Sequence, residues 1–222
     1  MQRLCITFSR GEELKYITHL DLMRLWQRVL RRADIPLIYS QGFSPHPRIS
    51  LGAPLAIGVT SSSELMDIYL ERRLSPHFFI KTVKEQLPRG IDILEVAEVG
   101  VGLPSLQSQI RFAEYKMTLD ADKKPKEVEA AIRSLLSSDS LPWQHVRDKE
   151  VRKYDLRALI EDIWLIESNS PEFVIGMRLR CDSAGTGRPE QVISALGFDN
   201  PPQFIHRTRL VLEKQVKSAA FR

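Results

Sequence analysis

Three arginines, Arg24, Arg28 and Arg31, recur at spacings of four and three residues in a chain of 222. On a helix that spacing lines the side chains along one stripe. Shortly after them, Ser40-Gln41-Gly42-Phe43-Ser44-Pro45-His46-Pro47-Arg48 gathers donors, a glycine, an aromatic ring and a further cation, stiffened by two prolines. Guanidinium groups neutralise phosphates and release their counterions. Backbone N–H groups of Gln41, Gly42 and Phe43 can face an anion while the Phe43 ring stacks on a base. These residue types point to an anionic ligand, with a nucleic-acid backbone as the leading candidate. Two plainer roles stand beside that one: a solvated helix face for the arginines, and a tight turn that tucks Phe43 into the core.

Other residues extend the cationic set. Arg207 and Arg209 flank Thr208, and Arg178 and Arg180 flank Leu179, so each pair points to one side of its strand. Arg188 follows Gly185-Thr186-Gly187 and leads into a helix beginning at Pro189. That run matches neither a P-loop nor a dinucleotide fingerprint. His19 directly follows Thr18, and His46 sits in the Ser-Pro-His-Pro-Arg turn. Together, with Tyr39 or Tyr16 as an auxiliary, they offer an acid and a base for metal-independent RNA cleavage. Structural roles for both histidines are the alternative. Asp155 and Arg157 read as a salt bridge on one strand face. Cys5 and Cys181 lie in alternating segments without the spacing of a zinc, cluster or redox site, so no metal or cofactor is expected.

These side chains need elements to position them. Residues 3–8 alternate as a strand, and Thr18 with Asp21 caps a helix over about 19–33. Residues 35–39 and 49–59 read as extended. A strand follows at 65–70, a helix opens at Ser75-Pro76, and 91–99 closes the half. Gly100–Ser108 has the composition of a linker. Afterwards the order repeats: strand 111–119, helix 125–136, extended segments through 143–151 and 160–166, strand 172–181, helix 189–196 and strand 203–212. Both halves fit β-α-β-β-α-β. The expectation is an α+β protein of two tandem ferredoxin-like domains with antiparallel sheets. The first, 1–104, carries the His-Leu-Asp-Leu-Met-Arg helix and the 41–48 loop; the second is 105–222.

Composition narrows the class. Hydrophobic residues make up 43% and charged residues 27%, which excludes a mainly disordered chain. The net charge of +4 is modest, so the clustering of the cations carries more weight than their sum. No apolar run reaches membrane-span length, and the first ten residues lack the apolar stretch of a signal peptide, which predicts a cytoplasmic protein.

The stretch from Lys15 to Val59, with segments 152–160, 185–197 and 205–213, resembles a radical-SAM-linked family of unknown function. Its members occur alone or as C-terminal extensions of cobalamin-binding radical SAM proteins. The resemblance implies an accessory protein that presents RNA to a radical SAM partner. The partner would hold the cluster, since this chain has no CxxxCxxC motif. An adaptor that binds only the protein partner is the alternative.

Overall fold

The computed structural model describes residues 1–120, 123–147, 150–169 and 172–213. It is a mixed α+β structure of mostly antiparallel strands with few helices. Two compact units emerge: residues 1–110 with the described residues from Leu212, and residues 111–211.

The first unit begins with β1 (Gln2–Arg10). Its alternation puts Leu4, Ile6 and Phe8 on a fully buried face and Arg3, Cys5 and Thr7 on the other. α1 (His19–Arg32) starts at the expected cap: Thr18 Oγ1 accepts the Asp21 backbone N–H at 3.1 Å and donates its own proton to the Asp21 carboxylate at 2.7 Å. The helix buries Leu22, Trp26, Val29 and Leu30, and Trp26 meets Phe8 edge-on with ring centres 5.0 Å apart. After β2 (Ile49–Leu51) and β3 (Thr60–Leu70), Ser75 caps α2 (Pro76–Lys84), whose Phe79 and Val83 join the same core. β4 (Ile93–Val99) completes the unit. β1 lies between β3 and β4, β2 pairs with β3, and all three pairings are antiparallel, so the order is β4-β1-β3-β2.

Two segments differ from expectation. Residues 35–39 form only isolated bridges, Leu37 to Leu70 and Tyr39 to Pro47, and the extended run after the loop is ordered as strand for three residues only. Gly52, Pro54 and Gly58 break its ladder. The 100–108 segment is no free linker. It leads into a short helix, α3 (Leu106–Gln109), and the carbonyls of Leu103 and Pro104 accept the buried Arg3 guanidinium at 2.8 and 3.0 Å. Glycine and proline content advertises a turn but cannot reveal the buried donor that the turn serves.

The second unit runs β5 (Ile110–Asp120), α4 (Pro125–Ser137), a hairpin of β6 (Pro142–Arg147) and β7 (Glu150–Asp155), then β8 (Ile160–Asn169), β9 (Glu172–Asp182), β10 (Gly185–Thr186), α5 (Pro189–Ala195) and β11 (Phe204–Leu212). β9 pairs antiparallel with β5 on one side and with β8 and β10 on the other, while β11 flanks β5. α4 packs on β8 and buries Val128, Ile132 and Leu135. The β6–β7 hairpin stands apart as its own two-stranded sheet. The Asp155–Arg157 salt bridge does not form, because β7 ends at Asp155 and the chain turns. Asp155 Oδ1 accepts the backbone N–H groups of Leu141 and Arg157 at 2.8 and 3.0 Å, and the Arg157 guanidinium donates to the carbonyls of Leu136 and Ile160. Among the described residues no helix is long and apolar enough to cross a membrane.

Candidate nucleic-acid interface

α1 has the outward stripe that its spacing demands. Arg24, Arg28 and Arg31 are all exposed, while Leu22, Trp26 and Val29 hold the opposite side in the core. Arg24 lies 3.5 Å from Asp21. Among the described residues Arg28 and Arg31 pair with no carboxylate, and the Arg28 Nε donates to the Arg24 carbonyl at 3.3 Å. The stripe keeps most of its positive charge in solvent, where a polyanion can reach it.

The 39–48 segment is a hairpin-like loop. Its ends are fastened by Ser40 N–H to the His46 carbonyl (2.8 Å), His46 N–H to Ser40 Oγ (3.0 Å) and Arg48 N–H to the Ile38 carbonyl (2.7 Å). Gly42 sits at φ +132°, a backbone state that side chains strain to reach. Gln41, Gly42 and Phe43 are exposed, and Phe43 is 105% exposed, so the ring is held out at the tip and not tucked into the core.

Strand register decides which of the expected residues meet. β1 runs from its pairing with Leu70 at Gln2 to its pairing with Ser61 at Arg10. The Arg10 guanidinium donates to the carbonyls of Leu14, Lys15 and Ile17, so α1 and His19 begin at the Arg10 end. Leu37 and Ile38 pair with Leu70 and Tyr69, so the loop and His46 lie at the Gln2 end. Roughly 26 Å of strand separates the two ends. His19 and His46 are not brought together, and Tyr39 stands with His46 alone; the acid–base pair is not assembled. Because α1 runs back along β1, its last turn and Arg31 arrive at the loop end of the unit.

Arg48 turns away from that side. Its guanidinium carbon lies 4.2 Å from the Tyr69 ring centre, a cation–π contact. Tyr69 alternates with the core residues Ile68 and Leu70 and therefore occupies the sheet face opposite the helices. Arg3 shares that face, tied to Asp67 at 2.5 Å with both side chains nearly fully buried. Burial opposes the Arg3 charge, but the hydrogen bond and attraction of Asp67 outweigh it and raise the guanidinium's proton affinity. Cys5 is half-buried beside the same pair, and burial together with the Asp67 charge pushes its thiol pKa up to about 12, which makes it inert.

In the second unit the strand arginines meet a carboxylate. Glu114, 8% exposed, takes two hydrogen bonds from Arg178 (2.7 and 2.9 Å) and two from Arg209 (2.7 and 2.9 Å). Burial works against ionised Glu114, yet the bonds from Arg209 and Arg178 outweigh it and hold the carboxyl below its usual range. Arg180 pairs with Asp182 at 3.0 Å. Arg207, expected to face outward with Arg209, is 1% exposed and presents no charge to solvent. Residue spacing placed the arginines on faces; it could not see which faces another segment covers. Arg188 is exposed, and its Nη1 lies 3.1 Å from His145 Nε2. Sequence reasoning missed His145 as its neighbour, since 43 residues separate them.

A family model matches residues 3–189. The chain belongs to that family, DUF2344, described as an uncharacterized protein conserved in bacteria. Among curated proteins no relative matches the chain. Among solved structures, a chain of a Cbf5-Nop10-Gar1 complex has a similar fold, with TM-score 0.52 and 13% identity over 93% of this chain and 48% of its own. A chain of an H/ACA RNP bound to a substrate RNA containing 2'-deoxyuridine aligns with TM-score 0.50 at 13% identity, over 93% of this chain and 47% of its own. The DUF2344 chain thus spans about half the length of the solved chains it resembles.

Proposed function

We propose that this DUF2344 protein binds RNA as an accessory factor in the cytoplasm, beside a radical SAM enzyme that performs the chemistry. The α1 stripe carries the reading: among the described residues Arg28 and Arg31 stand exposed without carboxylate partners, and the helix ends at the same end of the unit as the loop that holds Phe43 fully in solvent. Phosphates would lie along the arginines while a single-stranded base stacks on Phe43. The likeness of fold to a chain from an RNA-bound assembly supports the ligand class at the level of fold alone. The resemblance of the Lys15–Val59 stretch to radical-SAM-linked proteins supports the partner.

The strand order β4-β1-β3-β2 in the first unit supports a ferredoxin-like topology there. In the second, β5, β8, β9 and β11 follow the same pattern once the β6–β7 hairpin is set aside as an insertion.

Filter binding of the purified protein to bacterial total RNA at two salt concentrations tests the function. Affinity should fall steeply with salt, and the slope should shrink in an Arg28→Ala/Arg31→Ala variant. Salt-indifferent binding, or a slope unmoved by the substitutions, would remove the case.

A further inference from the structure

The second unit holds a cleft of about 440 Å³ that α1 and its loop do not share. Two stretches of the chain line it: the β6–β7 hairpin with His145, Arg152 and Tyr154, and the run from Arg180 on β9 to Arg188 and Gln191 at the start of α5. A glycine, Gly187, makes the closure possible. A Cβ on Gly187 would lie 2.9 Å from Leu179 Cβ and 3.0 Å from the Leu159 carbonyl, so bare backbone lets the 184–187 turn reach Leu159, while one on Gly185 would only push the end of the Leu159 side chain aside. The Gly-Thr-Gly-Arg run therefore builds a wall by close approach.

Three guanidiniums, of Arg152, Arg180 and Arg188, line the cleft beside one carboxylate, Asp155, whose Oδ1 accepts two backbone N–H groups. Asp182, outside the lining, accepts from the Arg180 guanidinium and from the Ala184 backbone N–H. Arg188 is held differently. A guanidinium has no acceptor, so His145 Nε2 accepts the hydrogen bond from Arg188 Nη1. An imidazole acceptor orients the fork without cancelling its charge. Tyr154 donates its hydroxyl to Gln191 Oε1 at 2.6 Å, which fixes the ring and leaves the Gln191 amide as a donor. The volume exceeds what a bare oxyanion fills and matches sites for cofactor-sized ligands.

We infer that this cleft binds a nucleoside 5′-phosphate, with the phosphate on Arg188 and Arg180 and the base against Tyr154. The occupant is a free mononucleotide or the 5′-phosphorylated end of an RNA; the phosphomonoester chemistry is common to both. The second case deepens the RNA-binding reading, and the cleft would then hold the end of a strand whose body lies elsewhere. Arginine forks suit a phosphomonoester because two N–H groups meet two oxygens at once.

Calorimetric titration with adenosine 5′-monophosphate, adenosine, and 5′-phosphorylated and 5′-hydroxyl ten-nucleotide RNAs tests it on the full chain. The phosphorylated probes should bind at least tenfold tighter than their dephosphorylated counterparts. Arg188→Ala should abolish that preference, and Arg188→Lys should restore part of it, since charge returns without the fork. Binding of the mononucleotide alone identifies a free nucleotide as the occupant; binding of the phosphorylated RNA alone identifies a strand end. Equal affinity with and without the phosphate, or a preference untouched by Arg188→Ala, overturns the site. Arg28→Ala/Arg31→Ala supplies the control: if it removes RNA binding while Arg188 variants change nothing, the cleft fails and the RNA reading stands. Loss of the phosphate preference only in Arg188 variants, with no binding of internal RNA, supports the cleft and removes the role of α1.

Discussion

α1 and the β5–β9–β11 face each carry arginines at regular spacing, and they use them in opposite ways. On the helix, the stripe meets one aspartate at its start, and Arg28 and Arg31 reach solvent without carboxylate partners among the described residues. On the strands, Arg178 and Arg209 converge on a single buried carboxylate, Glu114. On a solvent-facing helix stripe the nearest side chains are those three and four positions away. A strand meets its neighbours across the sheet. Glu114 lies 64 and 95 residues from the arginines it holds. Regularly spaced cations thus stand uncompensated in one place and close on a carboxylate in the other.

The comparison is sharpest at its buried extreme. Asp67→Asn leaves the Arg3 guanidinium buried without its counter-charge, at 2% exposure, and should cost about 3–5 kcal/mol in urea unfolding. A loss under about 1 kcal/mol would mean that the Leu103 and Pro104 carbonyls suffice by themselves.

Glu114→Gln comes next. It should destabilise by about 1–2 kcal/mol, less than a fully buried pair, because Arg178 and Arg209 keep 35% and 54% of their side-chain surface in water. The folded state lowers the Glu114 proton affinity. Its contribution is therefore present above the usual carboxylate range and is lost as pH falls through the folded value. Stability measured from pH 7 down to pH 3 should fall more steeply in the parent than in Glu114→Gln; parallel curves would show that the clamp does not hold the carboxylate ionised. The same variant frees two guanidiniums, so its RNA affinity should rise at low salt if the two faces differ only in compensation.

Arg28→Ala/Arg31→Ala should leave the unfolding midpoint nearly unchanged and weaken RNA about tenfold at low salt, with the salt slope falling by about two. A large drop in stability instead would make the stripe structural. Phe43→Ala is the mildest. The ring contacts nothing it stabilises, so stability should hold within about 0.5 kcal/mol, while affinity for single-stranded RNA drops and affinity for duplex does not. Equal losses on both ligands would remove the stacking role.

Much of the fold was legible from local signals. Thr18 and Asp21 announced the first helix within a residue of its observed end, and Ser75-Pro76 and Pro125 placed two more starts, because caps and first-turn prolines act through bonds to the next few residues. The service of residues 103–104 to Arg3 was not legible, since that donor lies about 100 residues away along the chain, whereas the β6–β7 hairpin pairs locally and was read only as extended. For the candidate site, the stripe was visible as spacing, and the exposure of Phe43 was one of two open alternatives. The separation of His19 from His46 followed only from strand register.

The amino-acid order alone determined the helix faces, the caps, the strand alternation and the concentration of cations in a few segments. All of these arise from interactions within about four residues. Tertiary structure decided which cations stay charged toward solvent: Arg207 is covered, Arg209 clamped, Arg48 stacked on Tyr69, and Arg188 held by an imidazole. The reason is that a charge is worth what its surroundings leave uncompensated, and those surroundings come from strands and turns tens of residues away.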